Sequence, residues 1–178
     1  MSNIIVLVGE SASGKTTIQK RLAQLGYKPI VTYTTRPKRE KEIAGIDYHF
    51  ISNDEFNLLK EQGYFAETAT YNNWQYGSAK KDFLSNEKSI IVLNPQGLRQ
   101  VKKNPNFDIT SFYLKVSRRE RLIRQLLRGD NIDEAVRRNY SDIGLFSGIE
   151  DEVDYVIDCT DEDCVIDVIA KIISENKV

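Results

Sequence analysis

The chain has 178 residues, of which 40% are hydrophobic and 29% charged, and its formal net charge is −1. That composition fits a soluble globular protein. It excludes a disordered chain and any bulk attraction to nucleic acid or to a membrane surface. The longest apolar runs, Ile4 to Val8 and Ile90 to Leu93, fall far short of the ~20 residues that a membrane span needs.

Ile4 to Val8 is a continuous β-branched and aliphatic run ended by Gly9, the pattern of a strand buried on both faces. A helix is expected from about Lys15 to Leu25, with Ile18, Leu22 and Leu25 on one stripe and Gly26 as its stop. Pro29 to Tyr33 reads as a second strand, and the polar segment from Thr34 to Gly45 as a loop. Ser52-Asn-Asp-Glu55 is a capping box, opening a helix that carries Phe56 and Leu59 and stops at Gly63. Phe65 to Tyr71 and Trp74 to Tyr76 read as strands joined by a turn at Asn72-Asn73.

A buried strand is then expected at Ile90 to Leu93, a short helix near Leu98 to Lys102, and a strand from Thr110 to Val116. Ser117-Arg-Arg-Glu120 is a second capping box, starting a basic helix to about Leu127. Further helices are expected over Asp133 to Leu145 and Asp163 to Ser174, with a last strand at Tyr155 to Ile157 between them. Alternating strands and helices imply an α/β fold with a mostly parallel central sheet flanked by helices. The block from Thr34 to Gly77 interrupts that rhythm and is expected to form a lobe beside the main sheet.

Charge is unevenly spread. Arg36-Pro-Lys-Arg-Glu-Lys41 is one basic cluster, and a second lies between Lys115 and Arg138, whereas Glu150 to Asp167 holds nine acidic residues and no basic one. Arg118, Arg119 and Arg121 read as a solvated helix face, Glu10 as an ordinary loop residue, and His49 as structural. Cys159 and Cys164 lack the spacing of a metal site, and no cationic leader precedes the first strand. A cytoplasmic, reducing location is expected.

Gly9-Glu10-Ser11-Ala12-Ser13-Gly14-Lys15-Thr16 fits the pattern G-x-x-x-x-G-K-[ST], with a buried strand before it and a helix after it. Glycines let the backbone turn its N–H groups inward, and the helix N-terminus adds partial positive charge. Lys15 is expected to reach the β- and γ-phosphates of a nucleoside triphosphate, and Thr16 to ligate Mg²⁺. Across from it, Arg36 and Arg39 sit three residues apart on a polar loop, and guanidinium forks suit a second phosphate. Tyr48 and Tyr76 can add phenolic donors. Glu67 stands in an apolar and aromatic stretch, where a guanine base, with its paired N1–H and N2–H₂ donors, would give a lone carboxylate a purpose.

These segments resemble the guanylate kinase family. The match rests on Gly9 to Thr17, Thr34-Thr-Arg36 with Arg39, Gly45-Ile-Asp-Tyr48-His-Phe50, Glu55-Phe56, Gly63-Tyr-Phe65 with Glu67, Tyr76-Gly77-Ser78, Gln96-Gly97 and the pair Arg124/Arg128. The resemblance implies a P-loop kinase fold in one domain over 1–178. Its core would be about 1–33 and 79–178, its acceptor lobe about 34–78 and its helical lid about 124–140. It implies transfer of the γ-phosphoryl of ATP to GMP, and to dGMP, with Mg²⁺, in a monomer or homodimer that binds no nucleic acid or membrane. Residue by residue, Gly9 to Thr17 would hold ATP, with Lys15 catalytic and Thr16 on Mg²⁺. Arg36, Arg39, Tyr48 and Tyr76 would hold the GMP phosphate. Glu67, Ser78, Thr32 and Asn94 would meet guanine. Arg124 and Arg128 would close over the transferring group, joined by Arg137 or Arg138.

Two departures stand out. Where the family has Asp-x-Asp-x-Gln-Gly, this chain has Val92-Leu-Asn94-Pro-Gln96-Gly97, so Asn94 is expected to accept from the guanine amine without charge, at a cost of about 1 kcal/mol. Where the family's late strand ends in an adenine-contacting asparagine, this chain has Cys159-Thr160. The alternatives are a P-loop kinase for another nucleoside monophosphate or a ribose phosphate, and a catalytically inactive protein-binding module. Such modules lose the P-loop lysine or the acceptor arginines, which this chain keeps.

Overall fold

All five residues of β1 (Ile4–Val8) are fully buried. The computed structural model describes residues 4–160 and 164–175, and in it β1 is the middle of a five-stranded sheet. β7 (Ser89–Val92) and β8 (Ile109–Lys115) flank it, with β2 (Lys28–Pro29) and β9 (Tyr155–Asp158) at the edges, and every pairing is parallel. A strand paired on both sides and covered on both faces has no solvent-facing side, so its apolar run is continuous.

Alternate residues of β1 serve opposite cores. Ile5 and Leu7 pack with Ile18 and Leu22 of α1 (Lys15–Gln24) and with Val168 and Ile172 of α7 (Cys164–Glu175). Ile4, Val6 and Val8 pack on the other face with Phe83 of α3 (Lys80–Phe83) and with Leu98 and Val101 of α4 (Pro95–Lys102). Each fully buried aliphatic side chain is worth ~1.5–3 kcal/mol, so β1 anchors the loop that follows it in the core.

The expected strand from Pro29 to Tyr33 divides between two sheets. Lys28 and Pro29 pair with β7, and the Ile30 amide donates to the Ile90 carbonyl at 2.9 Å before the chain leaves. Tyr33 then opens β3 (Tyr33–Thr34) in a second sheet, ordered β4 (His49–Phe50), β3, β6 (Trp74–Ala79), β5 (Phe65–Tyr71). Proline has no N–H to extend a ladder, which suits an edge and a crossing point. The hairpin between β5 and β6 turns at Asn72 and Asn73, at φ 51° and 64°, a region asparagine tolerates. α2 (Asn53–Glu61) is capped as expected, Ser52 Oγ accepting from the Glu55 amide at 3.1 Å, and it stacks Phe56 on Phe65 at 4.7 Å.

α5 (Arg118–Leu127) and α6 (Ile132–Ser141) lie against each other at one end of the cleft. α6 stops at Ser141, four residues before the expected end, and Gly144 at φ 77° lies in the turns that follow. Leu25, expected on the buried stripe of α1, is 56% exposed because the helix ends at Gln24. The expected start of the last helix, Asp163, lies outside the described residues. No helix among the described residues is long and apolar enough to cross a membrane.

Candidate functional site

The turn from β1 into α1 places Ala12 and Gly14 at φ 65° and 95°. Gly14 is the N-cap of α1 and brings no side-chain oxygen, whereas Ser52, Asn94, Ser117 and Asn131 cap α2, α4, α5 and α6 with theirs. The first amides of α1 are therefore left for an external acceptor, at the end of the helix that favours an anion. A Cβ on Gly9 would stand 2.5 Å from Ser13 Oγ and 3.1 Å from the Leu114 carbonyl, so only glycine lets the loop close this tightly. Lys15 Nζ folds back over the loop, donating to the carbonyls of Gly9 (2.6 Å) and Glu10 (2.7 Å) and to Ser13 Oγ (3.2 Å). Burial pulls its pKa down to about 8, against the carboxylates of Asp142 and Glu10, which favour the charged form.

Behind the loop lies a buried polar network that sequence reasoning missed. Asp142 Oδ2 accepts from the Ser11 amide at 2.8 Å and from Arg121 Nη1 at 3.5 Å, and Oδ1 accepts from the Tyr71 hydroxyl at 3.1 Å. Arg121 also donates to Asn139 Oδ1 and lies 3.9 Å from Glu10 Oε1, while the Tyr113 hydroxyl donates to Glu10 Oε2. Arg118 and Arg119 are exposed, but Arg121 is only 6% exposed, so it is no solvated face residue. Glu10 likewise is more than a loop residue. The network ties α5, the end of α6 and β5 to one phosphate-loop amide. Nothing in the sequence flags it: Arg121 is one of several arginines on a basic helix, and Asp142 is a lone acid beyond a helix end.

Across the cleft, Arg36 makes a two-pronged ion pair with Glu42, Nη2 to Oε1 at 2.6 Å and Nη1 to Oε2 at 3.0 Å. Its guanidinium lies 5.3 Å from the Tyr48 ring centroid and 5.7 Å from that of Phe50. Arg39 differs. It has no ion-pair partner within 4.0 Å among the described residues. Burial, Arg138 and Arg36 all push its pKa down, more than Glu42 and Glu134 raise it. Guanidinium groups crowded together with too few carboxylates make a place for an added anion. Arg36, Arg39, Tyr76 and Arg138 line a common pocket there. The buried Thr34 shapes the loop, its hydroxyl accepting from the Arg36 amide at 3.2 Å.

Between the two sides sits Glu67, 3% exposed, with Oε1 buried and lacking a hydrogen-bond partner. Burial drives its pKa up to about 7, and the hydroxyl and amide of Ser78 pull it partway back. Ser78 is fully buried, 3.2 Å from the Thr32 hydroxyl. A Cβ on Gly97 would meet Glu67 Oε2 at 2.9 Å, so this glycine in the first turn of α4 gives the carboxylate its room. Asn94 caps that turn, its Oδ1 accepting from the Gly97 amide at 2.8 Å.

One cleft of about 910 Å³ joins these groups. Of the residues named from the sequence, Gly9, Ser11, Ala12, Lys15 and Thr16 line its donor end, and Thr32, Arg36, Arg39, Tyr48, Glu67, Tyr76, Asn94 and Arg128 line the rest. Glu10, Ser13, Gly14, Thr17 and Ser78 are not among its lining residues. Arg124 is not brought to the cleft: its guanidinium donates to the carbonyls of Cys159 (2.7 Å) and Thr160 (3.0 Å) and to Glu120. Arg128 is held by Asp130 through both Nε and Nη2. Arg138 lines the cleft, while Arg137 pairs with Glu134 at 2.7 Å and lines only the pocket beside Trp74.

A phosphate loop ahead of an uncapped helix, facing a second cation-rich wall across one cleft beside a parallel α/β sheet, is the arrangement of a P-loop kinase fold. The chain belongs to the guanylate kinase family, whose model matches residues 1–176. Among curated relatives, the guanylate kinase of Mycoplasma genitalium is 35% identical over 74% of this chain and 58% of its own length. That of Nitrosococcus oceani is 30% identical over 87% of this chain and 79% of its own length. The fold matches the crystal structure of guanylate kinase from Anaplasma phagocytophilum with a TM-score of 0.80, covering 99% of this chain and 87% of that one at 24% identity.

Proposed function

We propose that the chain transfers the γ-phosphoryl group of ATP to GMP, and to dGMP, giving ADP and the nucleoside diphosphate. The observation that carries this reading is the cleft itself: an uncapped phosphate loop at one end, the cation-rich Arg36/Arg39/Arg138 wall at the other, and a buried, unpartnered Glu67 oxygen between them. In this reading the smaller sheet and its loop are the acceptor lobe, and α5 with α6 is the lid.

The acceptor's phosphate oxygen is already ionised, so the transfer needs no general base. It attacks the γ-phosphorus as the bond to the β-phosphate oxygen breaks, and ADP leaves. The protein must hold two anions in line and offset their repulsion. Loop amides and Lys15 Nζ take the donor phosphates, Lys15 exchanging its loop carbonyls for phosphate oxygens. Arg36, Arg39, Tyr48 and Tyr76 take the acceptor phosphate, and Arg128 and Arg138 approach from the lid side. Mg²⁺ would neutralise phosphate charge when bound. Thr16, in the first turn of α1 and lining the cleft, suits it as a hard oxygen ligand. Glu67 Oε1 accepts from the N1–H of the base. Cys159 and Cys164 are both free thiols, which suits a cytoplasmic enzyme of purine nucleotide metabolism.

A coupled ADP-release assay tests this directly. ADP should appear with ATP and GMP together and not with ATP alone. Binding of GMP without ADP release would instead favour an inactive module.

A further inference from the structure

The amide of Asn94 is oriented by its own helix. A backbone N–H can only donate, so the atom 2.8 Å from the Gly97 amide is the carbonyl oxygen Oδ1. The other branch, Nδ2, is then a donor, and it has no hydrogen-bond partner among the described residues. Asn94 and Glu67 both line the cleft beside Gly97, which donates to the first and, by lacking a Cβ, leaves room for the second. The groups left without a partner on the wall that meets the base are therefore the acceptor Glu67 Oε1 and the donor Asn94 Nδ2, while one lone pair of Asn94 Oδ1 is engaged by the Gly97 amide.

Six-oxopurine bases share an N1–H donor and differ at C2. Guanine carries an amine there, hypoxanthine a hydrogen, xanthine a carbonyl. Glu67 matches the shared N1–H. An N–H at position 94 does not match the guanine amine, since donor faces donor, whereas it tolerates hydrogen and complements a carbonyl. An aspartate in the same place would cap α4 equally well and leave a second acceptor oxygen for the amine.

We infer, resting on the acceptor reading above, that Asn94 is a specificity-determining residue: it relaxes recognition at purine C2, so that the chain phosphorylates 6-oxopurine nucleoside monophosphates with little regard to the 2-amino group. Asn94 touches the base edge and acts on selectivity, while donor binding at the phosphate loop is independent of it.

The experiment compares kcat/KM for GMP and IMP, with ATP as donor, in the wild type and in Asn94→Asp, the ATP KM and the melting temperature serving as controls. The GMP/IMP ratio in the wild type should be below about 30 and should rise at least about tenfold in Asn94→Asp, through a lower GMP KM. A wild-type ratio above about 30, or a ratio that Asn94→Asp moves by less than about threefold with an unchanged melting temperature, would overturn the role of Asn94 while leaving GMP kinase activity standing. Should Asn94→Asp melt early, the wild-type ratio alone decides. If wild type turned over neither GMP nor IMP although it bound ATP, the acceptor reading itself would fall, and this inference with it.

Discussion

In the proposed reading, the phosphate-binding groups on the donor side of the cleft are backbone amides, fixed by two positive φ angles and the axis of a helix buried against the central sheet. On the acceptor side they are guanidinium and phenol groups at the ends of side chains, carried by a loop and a small sheet of two- to seven-residue strands. The two ends differ in what their side chains already hold. Lys15 is satisfied by loop carbonyls, whereas Arg39 lacks an ion-pair partner among the described residues and Glu67 keeps an unpartnered oxygen. The donor end is thus set by the main chain, with Lys15 folded over the loop. The acceptor end holds unmatched charge and polarity that a ligand must complete, so its substitutions should alter affinity and choice of acceptor more than turnover.

The largest expected effect breaks the donor end. Lys15→Ala should lower kcat by at least about 10²-fold, because the cation that meets the transferring group is lost. Steady-state turnover within a few-fold of wild type would remove Lys15 from the chemistry. Next, Arg39→Ala should raise the GMP KM about tenfold or more while leaving the ATP KM within about twofold. Equal rises for both nucleotides would erase the distinction between the two ends.

The third effect is smaller and depends on pH. The Glu67 carboxyl titrates near 7 in the folded chain, above its ordinary value of 4.5, chiefly through burial. Its contribution to stability is thus fully present below about pH 4.5 and is lost as pH rises through 7. Glu67→Gln should then be more stable than wild type at pH 8 by about 1–3 kcal/mol, and less so at pH 5, as denaturant melts would show. The same variant should bind GMP more weakly. A stability difference that did not change between the two pH values would place the burial cost elsewhere.

What could be read from the sequence divides along the same line. The phosphate loop was legible because its chemistry is local: eight consecutive residues, a buried strand before and a helix after. Arg36, Arg39 and Glu67 were legible as residue types out of place, one pair on a loop and one carboxylate in an apolar strand. Arg124 shows the limit. Its helix was foreseen, but its guanidinium turns to the carbonyls after β9, and no pattern within α5 foretells that. Arg121 is the converse, a helix-face arginine drawn into a buried network by Asp142 and Asn139, which lie on other turns of the chain.

The main strands and helices of the central sheet, the phosphate loop and the kinds of charge available were determined by the sequence alone, because hydrophobic period, caps and glycine conformations act over a few neighbouring residues, whereas the short elements β4 and α3 and the split of Pro29 to Tyr33 between two sheets were not. Tertiary structure decided which charges face the cleft and which way an amide points. Asn94 is the plainest case: its oxygen caps α4, and only that packing fixes Nδ2 as the other branch of the amide.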